Sequence, residues 1–305
     1  MPRAGSRELL VRTSYAGINA SDINWTAGRY LPGLQPPFDT GFEGLGKVVE
    51  VGKDCKGFQT GDSVLFMHAG SFSEYLTLPY RKATLLPRLD PAYLSLLVSG
   101  CTASIALEKF AVQLAKLAGC HVIGTCSTDE KADFLRGLGC DRPINYKKEN
   151  LKSVLREEYP RGVDVMYEGI GGEIFNTCVK NLATKGKLVV IGFIESYKSS
   201  NFSTRPTLPL HQILLSKSAS IRGFFLNDYV ADLPSHISRL CQLYEQGQLK
   251  ALVDVGEGAP GGPFRGLESV YDAVDHLFSG CNRGKVVVEI SPPQATPESA
   301  TRAKL

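Results

Sequence analysis

The chain has 305 residues, 43% hydrophobic and 21% charged, with a formal net charge of +3. This is the composition of an ordinary globular protein with room for two domains; its dispersed Lys and Arg argue against nucleic acid, and no run nears the roughly 18 apolar residues of a membrane span. The eight cysteines hold no Cys-x-x-Cys pair and no secretory signal opens the chain, so reduced thiols in an intracellular compartment are expected. Residues 8 to about 92 carry short β-type runs, Leu9 to Thr13, Gly46 to Val51, Ser63 to Met67 and Phe72 to Leu78, among many glycines and prolines. That spacing predicts a small β-barrel. From about 93 to 227 helices and strands alternate: helix Lys131 to Leu138, strand Pro143 to Tyr146, helix Leu151 to Glu158, strand Val163 to Tyr167, helix Glu173 to Leu182, and strands Leu188 to Ile191 and Ser220 to Phe225. Such alternation implies a doubly wound parallel sheet. Helices Leu233 to Gly247 and Leu267 to Gly280 then lead to a closing strand, Lys285 to Ile290, and residues 292–305 read as a disordered tail.

The irregular place lies just before the second half of that sheet. Helix Leu107 to Leu117 enters a buried strand, Cys120 to Cys126, yet no apolar strand with a Gly-x-Gly-x-x-Gly-like turn comes before the helix. That turn normally cradles a dinucleotide's pyrophosphate. The expected fold is therefore α/β: a β-barrel domain (1–92 and 228–291) and an incomplete Rossmann-type domain (93–227) lacking its first strand. One long helix from about Pro91 to Leu117 should result, with two strands left facing a gap.

Three segments carry a family resemblance: Ala16-Gly17-Ile18-Asn19-Ala20-Ser21-Asp22, Ala27-Gly28-Arg29-Tyr30, and Gly41-Phe42-Glu43-Gly44-Leu45-Gly46 through Gly52, followed by Gly61-Asp62-Ser63-Val64. Their order and spacing resemble the GroES-like catalytic domain of the medium-chain dehydrogenase/reductase superfamily, in its quinone-oxidoreductase-like branch. The resemblance spans residues 8 to 290, apart from the missing strand and turn near Lys109 and an N-terminus that starts partway into the barrel. Zinc-dependent members place Cys where Ala20 stands and His where Phe42 stands. A methyl and a phenyl group cannot donate to Zn²⁺, so no metal is expected.

At the end of the second Rossmann strand, Gly124-Thr125-Cys126-Ser127 offers no carboxylate for a ribose 2′-hydroxyl, and Lys131 follows one turn later. Taken alone, the residues read first as an N-capped helix starting at Ser127 with Lys131 on a solvated face. The resemblance implies NADP, with Ser127, Lys131 and Tyr146 around its 2′-phosphate. It also implies cofactor contacts from Gly169, Ile191 and Tyr197, from Phe224, Phe225 and Leu226 beside the nicotinamide, and from Asn282. The implied activity is NADPH-dependent reduction of the conjugated double bond of a hydrophobic enone, the 13,14 bond of a 15-oxoprostaglandin foremost. Tyr30 would donate to the developing enolate oxygen, while Asn19 and Asp22 shape the pocket; Asp22 fits a structural turn equally well. The alternatives are an NADPH quinone reductase, or a catalytically incompetent form that binds NADPH weakly because it lacks the pyrophosphate loop. A homodimer is a further expectation. The ending Ala303-Lys304-Leu305 resembles the Ser-Lys-Leu address read by the peroxisomal import receptor, so peroxisome is expected, with cytoplasm the alternative.

Overall fold

A computed structural model describes residues 2–30, 33, 35–106, 112–197 and 209–292. Strand β1 (Glu8–Gly17) and helix α1 (Asp22–Thr26) precede β2 (Glu43–Val51), β3 (Ser63–Met67), β4 (Tyr75–Pro79) and β5 (Ala83–Leu86). Helical turns at Pro91–Ser95 and a π-helical turn at Leu96–Gly100 run into α2 (Cys101–Ala106), and α3 (Val112–Leu117) follows. The alternating half holds β6 (Ile123–Cys126), α4 (Asp129–Gly137), β7 (Arg142–Asn145), α5 (Leu151–Glu158), β8 (Val163–Glu168), α6 (Gly172–Lys180), β9 (Leu182–Val190), α7 (Leu210–Lys217) and β10 (Ser220–Gly223). The chain closes with α8 (Leu233–Glu245), β11 (Val253–Asp254), α9 (Val270–Ser279) and β12 (Lys285–Glu289).

Strands from both ends of the chain make one seven-stranded sheet in the order β11-β12-β1-β2-β3-β5, with β4 also on β1. Strand β1 holds it together, because it pairs with β2, β4 and β12 and shifts register twice along β2. Its side chains are buried over nearly the whole length, and Leu9, Val11, Val48, Val64 and Phe66 form one apolar cluster on it. A second, larger cluster joins this half to the helical layer through Leu45, Leu65, Tyr93, Leu97, Cys101, Ile237 and Leu240.

The alternating half forms its elements from local signals. Thr128 caps α4 by accepting from Lys131 N at 3.2 Å, and Asn150 caps α5 by accepting from Ser153 N at 3.0 Å. The capping hydroxyl thus sits at Thr128 and not at the Ser127 considered from sequence. Gly162 takes φ +83° where the chain turns into β8, and a Cβ there would meet Ala183 N at 2.5 Å, so the turn admits no side chain. Strand β9 begins at Leu182, earlier than the expected Leu188, because Leu182 pairs with Val163 and is buried. Sequence reading passed over α1, β5, α7 and β11, all of them short.

These elements do not form one sheet. Strands β6 and β7 make a parallel pair, β8, β9 and β10 a parallel triplet, and no ladder joins β6 to β8. A cavity of about 570 Å³ lies between them, lined by Ile123 to Thr125 on one side and Val163 to Glu168 on the other. Val165 and Tyr167 are 42% and 39% exposed, on a strand that a complete parallel sheet would bury on both faces. The expected gap is there. The chain is helical from Pro91 to Ala106 and again over α3; residues 107–111, where the expected single helix would join, lie outside the described residues. So does the expected tail from residue 293 on, including Ala303, Lys304 and Leu305.

Candidate active site

A cleft of about 870 Å³ opens where the barrel meets the C-terminal ends of β8, β9 and β10. Open α/β sheets bind ligands at that end of their strands. Asn19, Tyr30, Gly169, Ile191 and Tyr197 line it, as do Phe224, Phe225 and Leu226, so most of the residues expected from sequence meet at one place.

Tyr30 follows α1, and its ring lies 5.4 Å from that of Phe225 across the cleft. Its hydroxyl oxygen accepts a hydrogen bond from Asn24 Nδ2 at 3.1 Å, and the hydroxyl is also hydrogen-bonded to the Tyr197 side chain. Asn24 is itself fixed by Arg29, which donates to Asn24 Oδ1 at 2.8 Å and to the Tyr197 carbonyl at 2.6 Å. One guanidinium therefore ties the loop bearing Tyr30 to the far wall. Burial, and next the neighbouring Tyr30, push the Tyr197 hydroxyl up to about 12.

Beneath the cleft lies a buried polar cluster. Asn19 donates to Glu43 Oε1 at 2.8 Å and accepts from Lys285 Nζ at 2.6 Å, while Lys285 and Glu43 form an ion pair with side chains 6% and 0% exposed. The backbone N–H of Val98, in the π-helical turn, donates to Glu43 Oε2 at 3.2 Å. Asp22 faces away from the cleft wall and accepts from Asn19 N at 2.8 Å through one oxygen, while its other oxygen is buried without a partner. Burial drives its carboxyl up to about 7, against the pull of that hydrogen bond and of Lys285. Asn19 thus shapes the pocket directly, whereas Asp22 acts through it.

The expected phosphate residues gather at the end of β6. Ser127 stays outside the α4 cap, Tyr146 is 43% exposed beside it, and Lys131 Nζ donates to the Gly280 carbonyl at the end of α9, 2.6 Å away. Burial lowers the Lys131 ammonium. The neighbouring Asp129 carboxylate is drawn to Asn145 and Lys148. Asn282 turns back on the chain and donates to the Gly284 carbonyl at 2.9 Å. Glu43, Lys285, Asn24 and Arg29 were not picked out as site residues from sequence. An Asn in a short polar helix and a Lys at the head of an apolar strand give no periodic signal that distinguishes them from surface positions.

Ala20 and Phe42 also line the cleft at the positions where zinc ligands would stand, and neither side chain can coordinate a metal. Among the described residues no group of three or more His, Cys, Asp or Glu is placed to hold one. The donor set does not fit zinc.

Two family models match the chain: an alcohol dehydrogenase GroES-like domain over residues 5–88, and a zinc-binding dehydrogenase over 107–243. Prostaglandin reductase-3 of Mus musculus is 49% identical over 316 residues, covering 96% of this chain and 84% of that protein. A probable quinone oxidoreductase of Leishmania amazonensis is 44% identical over 310 residues, covering 93% and 89%. In fold the chain resembles the Escherichia coli quinone oxidoreductase crystallised with NADPH, at a TM-score of 0.81 and 24% identity, covering 95% of this chain and 93% of that one. The mouse match runs over 316 residues but takes in only about 293 of this chain (96% of 305), so within the matched span about 20 positions of the relative have no counterpart here. Among the described residues no strand stands between β6 and β8, and the chain belongs to the medium-chain dehydrogenase/reductase superfamily, in its quinone-oxidoreductase-like branch.

Proposed function

We propose that the chain reduces the conjugated double bond of an α,β-unsaturated ketone with NADPH, with a 15-oxoprostaglandin as the substrate class to test first. The observation that carries this reading is the Tyr30 hydroxyl, held by Asn24 and the Tyr197 side chain in an apolar cleft opposite Phe225. NADPH, when bound, supplies the hydride that adds to the β-carbon. Tyr30 donates to the ketone oxygen, where negative charge develops, and then gives up its proton. Phe224, Phe225 and Leu226 keep water from the reacting carbons, and Asn19 holds the cleft floor through Glu43 and Lys285. Ser127, Lys131 and Tyr146 hold the cofactor's 2′-phosphate; the pyrophosphate has no glycine-rich cradle.

The likeness to a probable quinone oxidoreductase favours quinone reduction as a second reading. Assays of the chain with NADPH or NADH against a 15-oxoprostaglandin, a simple alkenal and a para-quinone separate the two. The expected outcome is NADPH-dependent enone turnover that falls about a hundredfold in Tyr30→Phe, with NADPH affinity unchanged. Turnover of the quinone alone, or full activity in Tyr30→Phe, would overturn the proposal.

A further inference from the structure

The divided sheet offers a binding site of a different kind. Among the described residues β6 and β8 each pair on one side only, and their other edges face the same cavity of about 570 Å³. A strand edge presents a row of unpaired N–H and C=O groups, and a strand inserted between two such edges can satisfy both rows at once, at about 4.8 Å from each neighbour. The cavity's two faces are apolar: Val112 and Ala115 of α3, Leu151 and Leu155 of α5, Ile174 and Cys178 of α6. Asp164 and Glu168 of β8 and His121 also line the cavity, and one Glu168 carboxylate oxygen is buried without a partner among the described residues. An occupant must therefore be extended, offer main-chain donors and acceptors on both edges, and carry apolar side chains on both faces. Only a peptide strand meets all three demands.

From these constraints we infer that the slot between β6 and β8 takes one extended apolar peptide in trans, parallel to both strands, in the manner of donor-strand complementation. Its core is about four residues long, since β6 runs only from Ile123 to Cys126 and rises about 3.3 Å per residue. The parallel direction follows from the sheet, as β6 runs parallel to β7 and β8 to β9 in a fold that superposes on a doubly wound relative. The inference rests on the sheet and stands apart from the proposed reaction.

Hydrogen–deuterium exchange on the full chain tests it, using as probe a synthetic peptide with a short run of valine and isoleucine between charged flanks. Saturable protection of the amides of Ile123–Cys126 and Val163–Glu168, about tenfold or more, is expected, with the amides of β1 unchanged. The same peptide with proline at the centre of its apolar run should protect neither strand, because proline removes a ladder donor. Absence of protection by the first peptide, or equal protection by the proline peptide, would overturn the inference. So would protection of β6 and β8 that rises with protein concentration without peptide, which would make a second copy the occupant. Turnover enters none of these readouts, so the slot and the proposed reaction can fail independently.

Discussion

The two halves of the molecule were built from equally good local signals and ended in different states. In the barrel, β1 reaches three partners, and its ladder to β12 ties together positions as far apart as Tyr15 and Glu289. In the alternating half, capped helices and glycine turns are all in place, yet the described residues pack as three small clusters around Met166, Val122 and Ile144. Caps and turns decide whether an element forms. Whether elements share a core depends on the strand at the centre of the sheet, and no local signal substitutes for it.

Cofactor affinity should expose the difference most. The proposed phosphate residues around Ser127 are in place while no glycine-rich pyrophosphate turn stands among the described residues, and each charge-assisted hydrogen bond to a pyrophosphate is worth roughly 1.5 to 3 kcal/mol. Two such bonds lost weaken binding by about two to four decades. Nicotinamide-fluorescence titration of this chain and of the mouse relative, side by side, should show that interval. Equal affinity would mean that another segment has filled the gap and that the halves do not differ where it matters.

The complete half can be broken from within. Lys285→Met leaves the Glu43 carboxylate buried with only Asn19 and the Val98 N–H beside it. Removing one partner of a buried pair typically costs about 3 to 5 kcal/mol. Urea unfolding followed through Trp25, which sits in the barrel half, should record a loss of that size. A loss under about 1 kcal/mol would show that Glu43 takes up a proton or another partner at little cost.

Asp22 gives the same half a pH signature. Its folded-state carboxyl is raised from 3.8 to about 7, chiefly by burial, so between those values the native state binds a proton that the unfolded chain has released. Stability therefore falls as pH rises from about 4 to about 7, by up to about 4 kcal/mol at 1.36 kcal/mol per unit. Lys285 and Glu43 face Asp22 from β12 and β2 and act in opposite senses. Asp22→Asn keeps an acceptor for Asn19 N and removes the ionisation, so it should flatten the profile between about pH 4 and about pH 7. An unchanged slope in that variant would place the titration elsewhere.

The comparison also separates what the sequence carries from what it hides. Helix α5 and strand β3 were legible to the residue, since the helical period from Leu151 and the apolar run Val64 to Met67 are local. The gap was legible too, because a missing strand leaves a helix entering β6 with no apolar run before it. The cleft residues Tyr30, Ile191 and Phe225 followed from family motifs, whose spacing records a shared chain path. Arg29, Asn24 and Lys285 did not, because their role lies in partners 168, 6 and 266 positions away, Tyr197, Tyr30 and Asn19.

The smallest expected effect lies where the two halves touch. Lys131 Nζ spans from α4 to the Gly280 carbonyl, which closes α9 in the left-handed conformation, so without cofactor the ammonium serves a helix C-terminus. A cofactor 2′-phosphate offers it a full charge in place of that partial one. Lys131→Met should therefore lower NADPH affinity about tenfold, the loss of roughly one charge-assisted hydrogen bond, and leave NADH affinity within about twofold. If both affinities fell together, Lys131 would be holding the halves in register through Gly280 and not reading the phosphate. If only NADPH binding fell, even the incomplete half would still discriminate between cofactors by a charge at the end of β6, and what the missing strand removes would be affinity without selectivity.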